Sequence, residues 1–236
     1  MKDRQGEDET RMTPLEHLAE LRQRLLKALV ALTITTLLSF VFTPQIIEIL
    51  TRPIGGPEAL QAIEITENVG VFMRVSLLSG LVLAMPVIVY QLLRFILPGL
   101  KPHEKRWVFI AVPSASLLFL TGVLFAYFVM LPAALPFLIG FLGIKTAPRP
   151  ANYFSFITNL MLWIGLSFEA PLLIFVLAKL KLISAQTLAR QWRVAVIIIA
   201  IIAAVATPTV DPINMGLLML PLLLLYLLSI LLARLA

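Results

Sequence analysis

Residues 97–107 read LPGLKPHEKRW, a short basic stretch between two long apolar runs. The uncharged run before it lies between Arg74 and Arg94, and the run after it continues from Trp107 to Ile144. A helix needs about 20 apolar residues to cross about 30 Å of hydrocarbon, so each run is long enough to span a bilayer. The stretch is therefore predicted to be a loop between two membrane-spanning helices.

The composition supports the same conclusion for the whole chain. Of its 236 residues 60% are hydrophobic and 14% are charged, and the mean hydropathy is +0.97. A soluble domain of this length cannot bury so much apolar surface, which indicates a membrane protein. The net charge of +6 comes from basic residues that flank apolar runs, which favours a role in topology over nucleic-acid binding. The chain has no cysteine, and we expect no metal site and no cofactor.

We predict an all-α integral membrane protein with six transmembrane helices. Pro132 and Pro136 are expected to mark the point where the third helix leaves the membrane. The fifth segment has only about 20 Å of apolar length, and helices 5 and 6 are both expected to be short. Prolines within four of the spans predict kinked helices and a curved bundle with a concave face. The predicted spans are 27–48, 74–94, 107 to about 132, 154–178, 194–206 and 215–233, and the four prolines are Pro86, Pro113, Pro171 and Pro221.

The distribution of Lys and Arg predicts the orientation of the helices. Fifteen of these residues fall on the side of the N-terminal region, the 2–3 loop and the 4–5 loop, and four fall on the other side. The positive-inside rule therefore places both termini in the cytoplasm. Residues 1–12 are expected to form a disordered cytoplasmic tail without a cleavable signal peptide, and residues 13–236 a single transmembrane domain.

The stretch TPLEHLAELRQRLLKAL, from Thr13, predicts a cytoplasmic helix that continues into the first span. Thr13 and Glu16 have the spacing of a capping box, and Pro14 suits the first helical position. Glu20 and Arg24 are four residues apart and can form an ion pair of about 0.3–0.5 kcal/mol. From the helix alone, a solvated charged face explains this pattern, and a binding site is the alternative.

Three further acidic residues have both a structural and a functional interpretation. Glu104 follows Pro102 in the first turn of the third helix, where it complements the helix dipole. Glu169 lies within an apolar span, and such a carboxylate usually faces a cavity or the interior of the bundle. The alternative is a neutral glutamic acid that only joins helices. Asp211 precedes a proline in TPTVDPIN, and an Asp-Pro turn is sufficient to explain it.

No enzyme class is indicated by the motifs. The sequence contains no H-E-x-x-H, no G-x-S-x-G and no P-loop pattern. Two other classes stay open at this point. One is a proton-coupled secondary transporter of a small solute that uses Glu169, and the other is a structural membrane protein without a ligand.

Several separated motifs make the chain similar to the TatC family, the multi-span subunit of the twin-arginine protein translocase. They are HLAELRQRL (17–25), FILPGLKPHEKR (95–106), FAYFVMLP (125–132), SFEAP (167–171) and ATPTVDP (206–212). The resemblance implies a receptor for signal peptides with an arginine pair. It further implies TatA- and TatB-like single-span partners and homo-oligomers within a receptor complex. Folded proteins would be exported across the plasma membrane of a prokaryote by the proton motive force.

The resemblance also implies roles for individual residues. Glu20 and Glu104 would bind the two arginines of the signal peptide, because a carboxylate can accept a bidentate guanidinium. Glu169 would face the cavity and contact a partner helix or the inserted peptide. The residues that would support the cytoplasmic site are His17, Arg22, Arg24, Phe95 and Pro98. The candidates for partner docking are Thr207, Thr209, Asp211 and Asn214.

Overall fold

The computed structural model describes residues 14–96, 106–140, 147–179, 181–207 and 212–235, and this part of the chain is helical and contains no strand. The all-α expectation is therefore confirmed. The helices are α1 (Pro14–Ser39), α2 (Thr43–Thr51), α3 (Glu67–Ile96), α4 (Arg106–Phe125), α5 (Leu131–Gly140), α6 (Pro150–Phe168), α7 (Ala170–Lys179), α8 (Ala185–Arg190), α9 (Trp192–Ala206) and α10 (Pro212–Leu235).

The first predicted span is divided into two helices. The chain bends by 76° between α1 and α2. Pro44 stands in the first turn of α2 and has no N–H to continue the hydrogen-bond ladder of α1, so the first helix ends and a second one begins. The hydroxyl of Thr43 donates to the carbonyl of Ser39 at 2.8 Å and holds this junction. The run 27–48 is thus no single straight helix.

The third span continues past its prolines. A π-helical turn, Ala126–Met130, joins α4 to α5, and the apolar segment Ile110–Gly140 is 31 residues long. Pro132 and Pro136, where the third helix was expected to leave the membrane, both lie inside α5, so the helix itself continues past them, and the exit from the membrane at this point stays a prediction. In the wide turn, the N–H of Leu131 bonds to the carbonyl of Ala126, five residues back. A π turn next to Pro132 accommodates the N–H that proline lacks.

The last two predicted spans differ in length. Helix α9 has 15 residues and reaches about 22 Å, so the expectation of a short fifth helix is confirmed. Helix α10 has 24 residues and reaches about 36 Å, so the expectation of a short sixth helix is wrong. The sixth helix is longer because it begins at Pro212, within the segment that was expected to be a turn. Proline has the φ angle of the first helical position.

The described helices agree with a membrane protein of several spans. Four helical segments are long and apolar enough to cross a bilayer, and the bent α1–α2 pair is a fifth candidate. The four segments are Glu67–Phe95, Ile110–Gly140, Pro150–Lys179 and Asn214–Leu235. Helix α9 is apolar but shorter. Six spans and cytoplasmic termini stay predictions. Many leucines and isoleucines on the outside of the helices are exposed, which fits lipid as the solvent.

The core lies between α3, α4 and α6, around the fully buried Val75, Phe119 and Ile157. Two glycines allow close helix contacts there. A Cβ atom on Gly80 of α3 would lie 2.6 Å from the Cα of Thr36 in α1, and one on Gly122 of α4 would meet α6 at a similar distance. Small residues let backbones approach closely in membranes, so these contacts fix the positions of α1 and α6 against the core.

Candidate functional site

The start of α1 lies against the end of α3. The ring of His17 stacks on the ring of Phe95, with 4.3 Å between the ring centroids and 24° between the planes. Further along, the hydroxyl of Thr35 donates to the carbonyl of Gly80 at 2.8 Å. The two helices therefore run antiparallel. Residues at the start of α1 meet those at the end of α3, just before the 2–3 loop.

A cluster of Glu20, Arg24 and Gln91, here called the α1–α3 cluster, lies beside this stack. Arg24 donates twice to Oε1 of Glu20, from Nη2 at 2.9 Å and from Nε at 3.3 Å. Its third nitrogen, Nη1, donates to Oε1 of Gln91 on α3 at 3.4 Å. Each charged side chain is 17% exposed, so the predicted i,i+4 pair is partly buried and joined to a second helix.

The second carboxylate oxygen of Glu20 has a different environment. Oε2 is buried and accepts no hydrogen bond from the described part of the chain. An unpaired buried carboxylate oxygen costs free energy, and such an atom is one to which a further donor would bind favourably. A further donor can reach this oxygen only after the side chains around it move.

Of the other residues predicted for this region, some lie within the described part of the chain and some outside it. Arg22 is exposed on α1, and His17 and Phe95 are stacked as described above. Glu104 and Pro98 lie outside the described residues, and so do Thr209 and Asp211.

Glu169 stands at the junction of α6 and α7. The helix is interrupted at this residue, and α7 begins at Ala170. Pro171 has no N–H to bond to the carbonyl of Ser167, which explains the break. The side chain is buried, with 8% of the residue exposed, and its Oε1 has no hydrogen-bond partner in the described part of the chain. A buried carboxyl group at a helix break is therefore available for another interaction.

The tip between the fifth and sixth helices is packed inward where it is described. Thr207 and Asn214 are both buried. The hydroxyl of Thr207 donates to the carbonyl of Ala203 in its own helix at 2.8 Å. The exposed surface nearby is apolar and includes Ile201 and Val205 of α9. A partner helix would meet these side chains before it reached the two polar ones.

A second polar cluster, here called the loop cluster, was not found from the sequence. Arg149, just before α6, donates to Glu64 at 2.9 Å and from Nε to Glu67 at 3.0 Å. The N–H of Gln61 donates to the carbonyl of Pro148 at 3.2 Å. The hydrogen bonds that Arg149 donates to Glu67 and Glu64 raise its pKa above the usual value. This cluster joins the 1–2 loop to the 3–4 loop.

Gln91 and Arg149 each have a signal in the sequence, but the pairing of Arg149 with Glu64 and Glu67 has none. Gln91 is a polar residue near the end of an apolar run, which is a signal for an interhelical hydrogen bond. Arg149 is one of only four basic residues on its predicted side, and Glu64 and Glu67 are acids on the same side. Their pairing is separated by more than 80 residues, and no local pattern indicates it.

The helices and the two clusters define a polytopic membrane protein with a carboxylate site at one end and a charged loop junction at the other. Among the described residues no group of three or more His, Cys, Asp or Glu could hold a metal ion.

The family model of the Sec-independent protein translocase protein, TatC, matches residues 16–221. The TatC protein of Aquifex aeolicus is 39% identical over 228 residues, which cover 94% of each chain. That of Carboxydothermus hydrogenoformans is 33% identical and covers 94% of this chain and 93% of its own. A crystal structure of the twin-arginine translocase receptor TatC superposes with a TM-score of 0.82 at 37% identity, covering 93% of this chain and 99% of the other.

The chain belongs to the TatC family and is a component of the Sec-independent protein translocase. It is thus a membrane translocation subunit and not an enzyme, and the small-solute transporter and the structural protein without a ligand are set aside. Its bacterial relatives and its apolar helices place it among prokaryotic membrane proteins.

Proposed function

We propose that this protein binds the arginine pair of a signal peptide at the cytoplasmic ends of α1 and α3, through Glu20 and Glu104. The observation that carries the proposal is the carboxylate of Glu20, which is held by Arg24 and has a second oxygen without a partner in the described chain. Arginine presents a planar fork of donors that suits a carboxylate, whereas lysine is a point charge. The site should therefore prefer arginine.

The position of the 2–3 loop supports the role of Glu104. Helix α3 ends at Ile96, and α4 begins at Arg106, so residues 97–105 connect them. Phe95 lies against His17, and the loop therefore starts at the end of α3 that borders the α1–α3 cluster. Two carboxylates close to this end would receive one arginine each.

Binding of paired peptides tests the proposal. One peptide carries Arg-Arg and the other Lys-Lys, and both are measured on solubilised wild type, Glu20→Ala and Glu104→Ala. We expect the wild type to prefer Arg-Arg and each variant to lose most of this preference. Equal binding of both peptides by the wild type would contradict the proposal. Preference retained in both variants would assign recognition to other residues.

The transport cycle is proposed on the family's pattern. With TatA- and TatB-like single-span partners, and as homo-oligomers in a receptor complex, the protein would export folded proteins by the proton motive force. Both termini would face the cytoplasm across a prokaryotic plasma membrane. The proposed docking region is the tip with Thr207, Thr209, Asp211 and Asn214, together with the exposed apolar face of α9.

Glu169 is the proposed intramembrane contact for a partner helix or the inserted peptide. Its burial at a break between α6 and α7, with one oxygen unpaired in the described chain, supports this role. A Glu169→Gln variant keeps the shape of the side chain and removes its charge. We expect this variant to bind the Arg-Arg peptide normally and to export poorly. Normal export would show that the charge of Glu169 is not required for the transport cycle.

A further inference from the structure

The contacts of Glu20 limit how a peptide arginine can bind to it. A bidentate carboxylate–guanidinium pair uses both oxygens of the carboxylate. Oε1 of Glu20 already accepts two N–H groups from Arg24, and Oε2 is buried. A second arginine therefore cannot form the full bidentate pair while Arg24 keeps its place.

The surroundings of Arg24 show how it could move. Nη1 of Arg24 bonds to the neutral amide oxygen of Gln91 at 3.4 Å, a long contact that does not involve Glu20. Gln91 could keep this bond if the other two nitrogens of Arg24 were displaced from Glu20. Both charged side chains are 17% exposed, so they lie near the surface of the protein and not deep in its core.

We propose that Arg24 is a competing residue that occupies Glu20 in the free receptor, is displaced by an arginine of the signal peptide and thereby limits the affinity of the site. This inference rests on the proposed function and adds a mechanism of exchange to it. One guanidinium replaces another, and Gln91 retains Arg24 after the exchange. Without Arg24, the free receptor would contain a partly buried carboxylate without a cation.

The exchange sets the affinity of the site through competition. A peptide lysine carries a compact ammonium group without the planar fork, so it pairs poorly with a carboxylate. A peptide arginine offers donors equivalent to those of Arg24 and, once Arg24 has moved, can use both oxygens of Glu20. Displacement of Arg24 costs the same free energy for either peptide, so it lowers both affinities by the same factor, and the preference for arginine comes from the contacts that the incoming residue makes with Glu20.

The experiment uses the full-length protein in detergent and the same Arg-Arg and Lys-Lys peptides. The variants are Arg24→Gln, Arg24→Lys and Gln91→Ala, each checked by a thermal melt. Lys27→Gln is the matched control, because Lys27 is an exposed cation on the same helix and its removal changes the net charge equally. Glu20→Gln serves as the control for the proposed function itself.

We expect Arg24→Gln to bind the Arg-Arg peptide roughly two- to fivefold more tightly than the wild type. Binding of the Lys-Lys peptide should increase by the same factor, so that the ratio of the two affinities keeps its wild-type value. Arg24→Lys should lie between the two proteins, and Gln91→Ala should weaken binding, because displaced Arg24 then has no acceptor. Lys27→Gln should leave both affinities at their wild-type values.

The outcomes separate the two hypotheses. If the wild type prefers Arg-Arg, and Arg24→Gln binds that peptide no more tightly than the wild type does, the exchange is overturned and the proposed function stands. If the wild type does not distinguish the peptides and Glu20→Gln changes neither affinity, the proposed function fails and the exchange fails with it. A gain of affinity in Lys27→Gln equal to that in Arg24→Gln would reduce the effect to net charge and also overturn the exchange.

Discussion

The two polar clusters lie at opposite ends of α3 and use the same chemistry in different ways. In the loop cluster one arginine contacts two carboxylates, and the side chain of Glu67 is 3% exposed. In the α1–α3 cluster one arginine contacts one carboxylate and a neutral amide, and each ion is 17% exposed. About 36 Å of helix separates Glu67 from Gln91. A cation with two anionic partners is held firmly, whereas one that shares a single carboxylate can be exchanged.

The largest effect is expected from Arg149→Glu in the loop cluster. This change places a third carboxylate against Glu64 and Glu67 and leaves the buried one without a cation, which strongly destabilises a protein. We expect the melting temperature of the purified protein to fall more than for any other variant described here. The paired change Glu67→Arg with Arg149→Glu should recover part of the loss. A wild-type melting temperature for Arg149→Glu would show that the loop junction contributes no stability.

A second prediction concerns the contact that positions α1 on α3. A Cβ atom on Gly80 would overlap the backbone of Thr36, so Gly80→Ala should lower the free energy of unfolding by about 1–3 kcal/mol and weaken signal-peptide binding. Gly70→Ala is the matched control, because nothing lies within 4 Å of a Cβ atom there. Denaturation and peptide binding are measured on both. Equal stability and equal peptide binding of the two alanine variants would contradict the close approach of α1 and α3 at Gly80.

A third prediction compares two tyrosines whose hydroxyl groups bond to carbonyls at the end of α2. The hydroxyl of Tyr153 donates to the carbonyl of Leu50 at 2.8 Å in a buried position, and that of Tyr127 donates to the carbonyl of Ile49 at 2.8 Å in an exposed one. Tyr153→Phe should lower the free energy of unfolding by about 1 kcal/mol, and Tyr127→Phe by less, since water can replace its bond. Chemical denaturation compares them. A larger loss for Tyr127→Phe would show that the exposed hydrogen bond contributes more to stability than the buried one, contrary to this prediction.

The smallest stability effect is expected from Arg24→Gln. Exposed and partly exposed i,i+4 ion pairs contribute below about 1 kcal/mol, and glutamine can still donate one hydrogen bond to Glu20. Its melting temperature should stay close to that of the wild type, while its affinity for the peptides rises. If Arg24→Gln melts as low as Arg149→Glu, both clusters are structural and the contrast between them disappears.

The sequence alone determined the features that depend on local pattern. The apolar runs require lipid as the solvent, the i,i+4 spacing of Glu20 and Arg24 places them on one face of a helix, and the thirteen apolar residues of the fifth span define a short helix. The five separated motifs, taken together, were sufficient to indicate the family. Each of these features is fixed by neighbours within a few turns of the chain.

Only the tertiary structure decided the features that depend on distant neighbours. The α1–α2 bend and the early start of α10 were misjudged, because proline can end a helix or stand in its first turn, and the π turn before Pro132 had no signal in the local pattern. The bond from Arg24 to Gln91 spans 67 residues, and that from Arg149 to Glu67 spans 82. Such pairs form where the packing of glycine-containing helices and the closure of loops bring side chains together, and no periodicity along the chain encodes that distance.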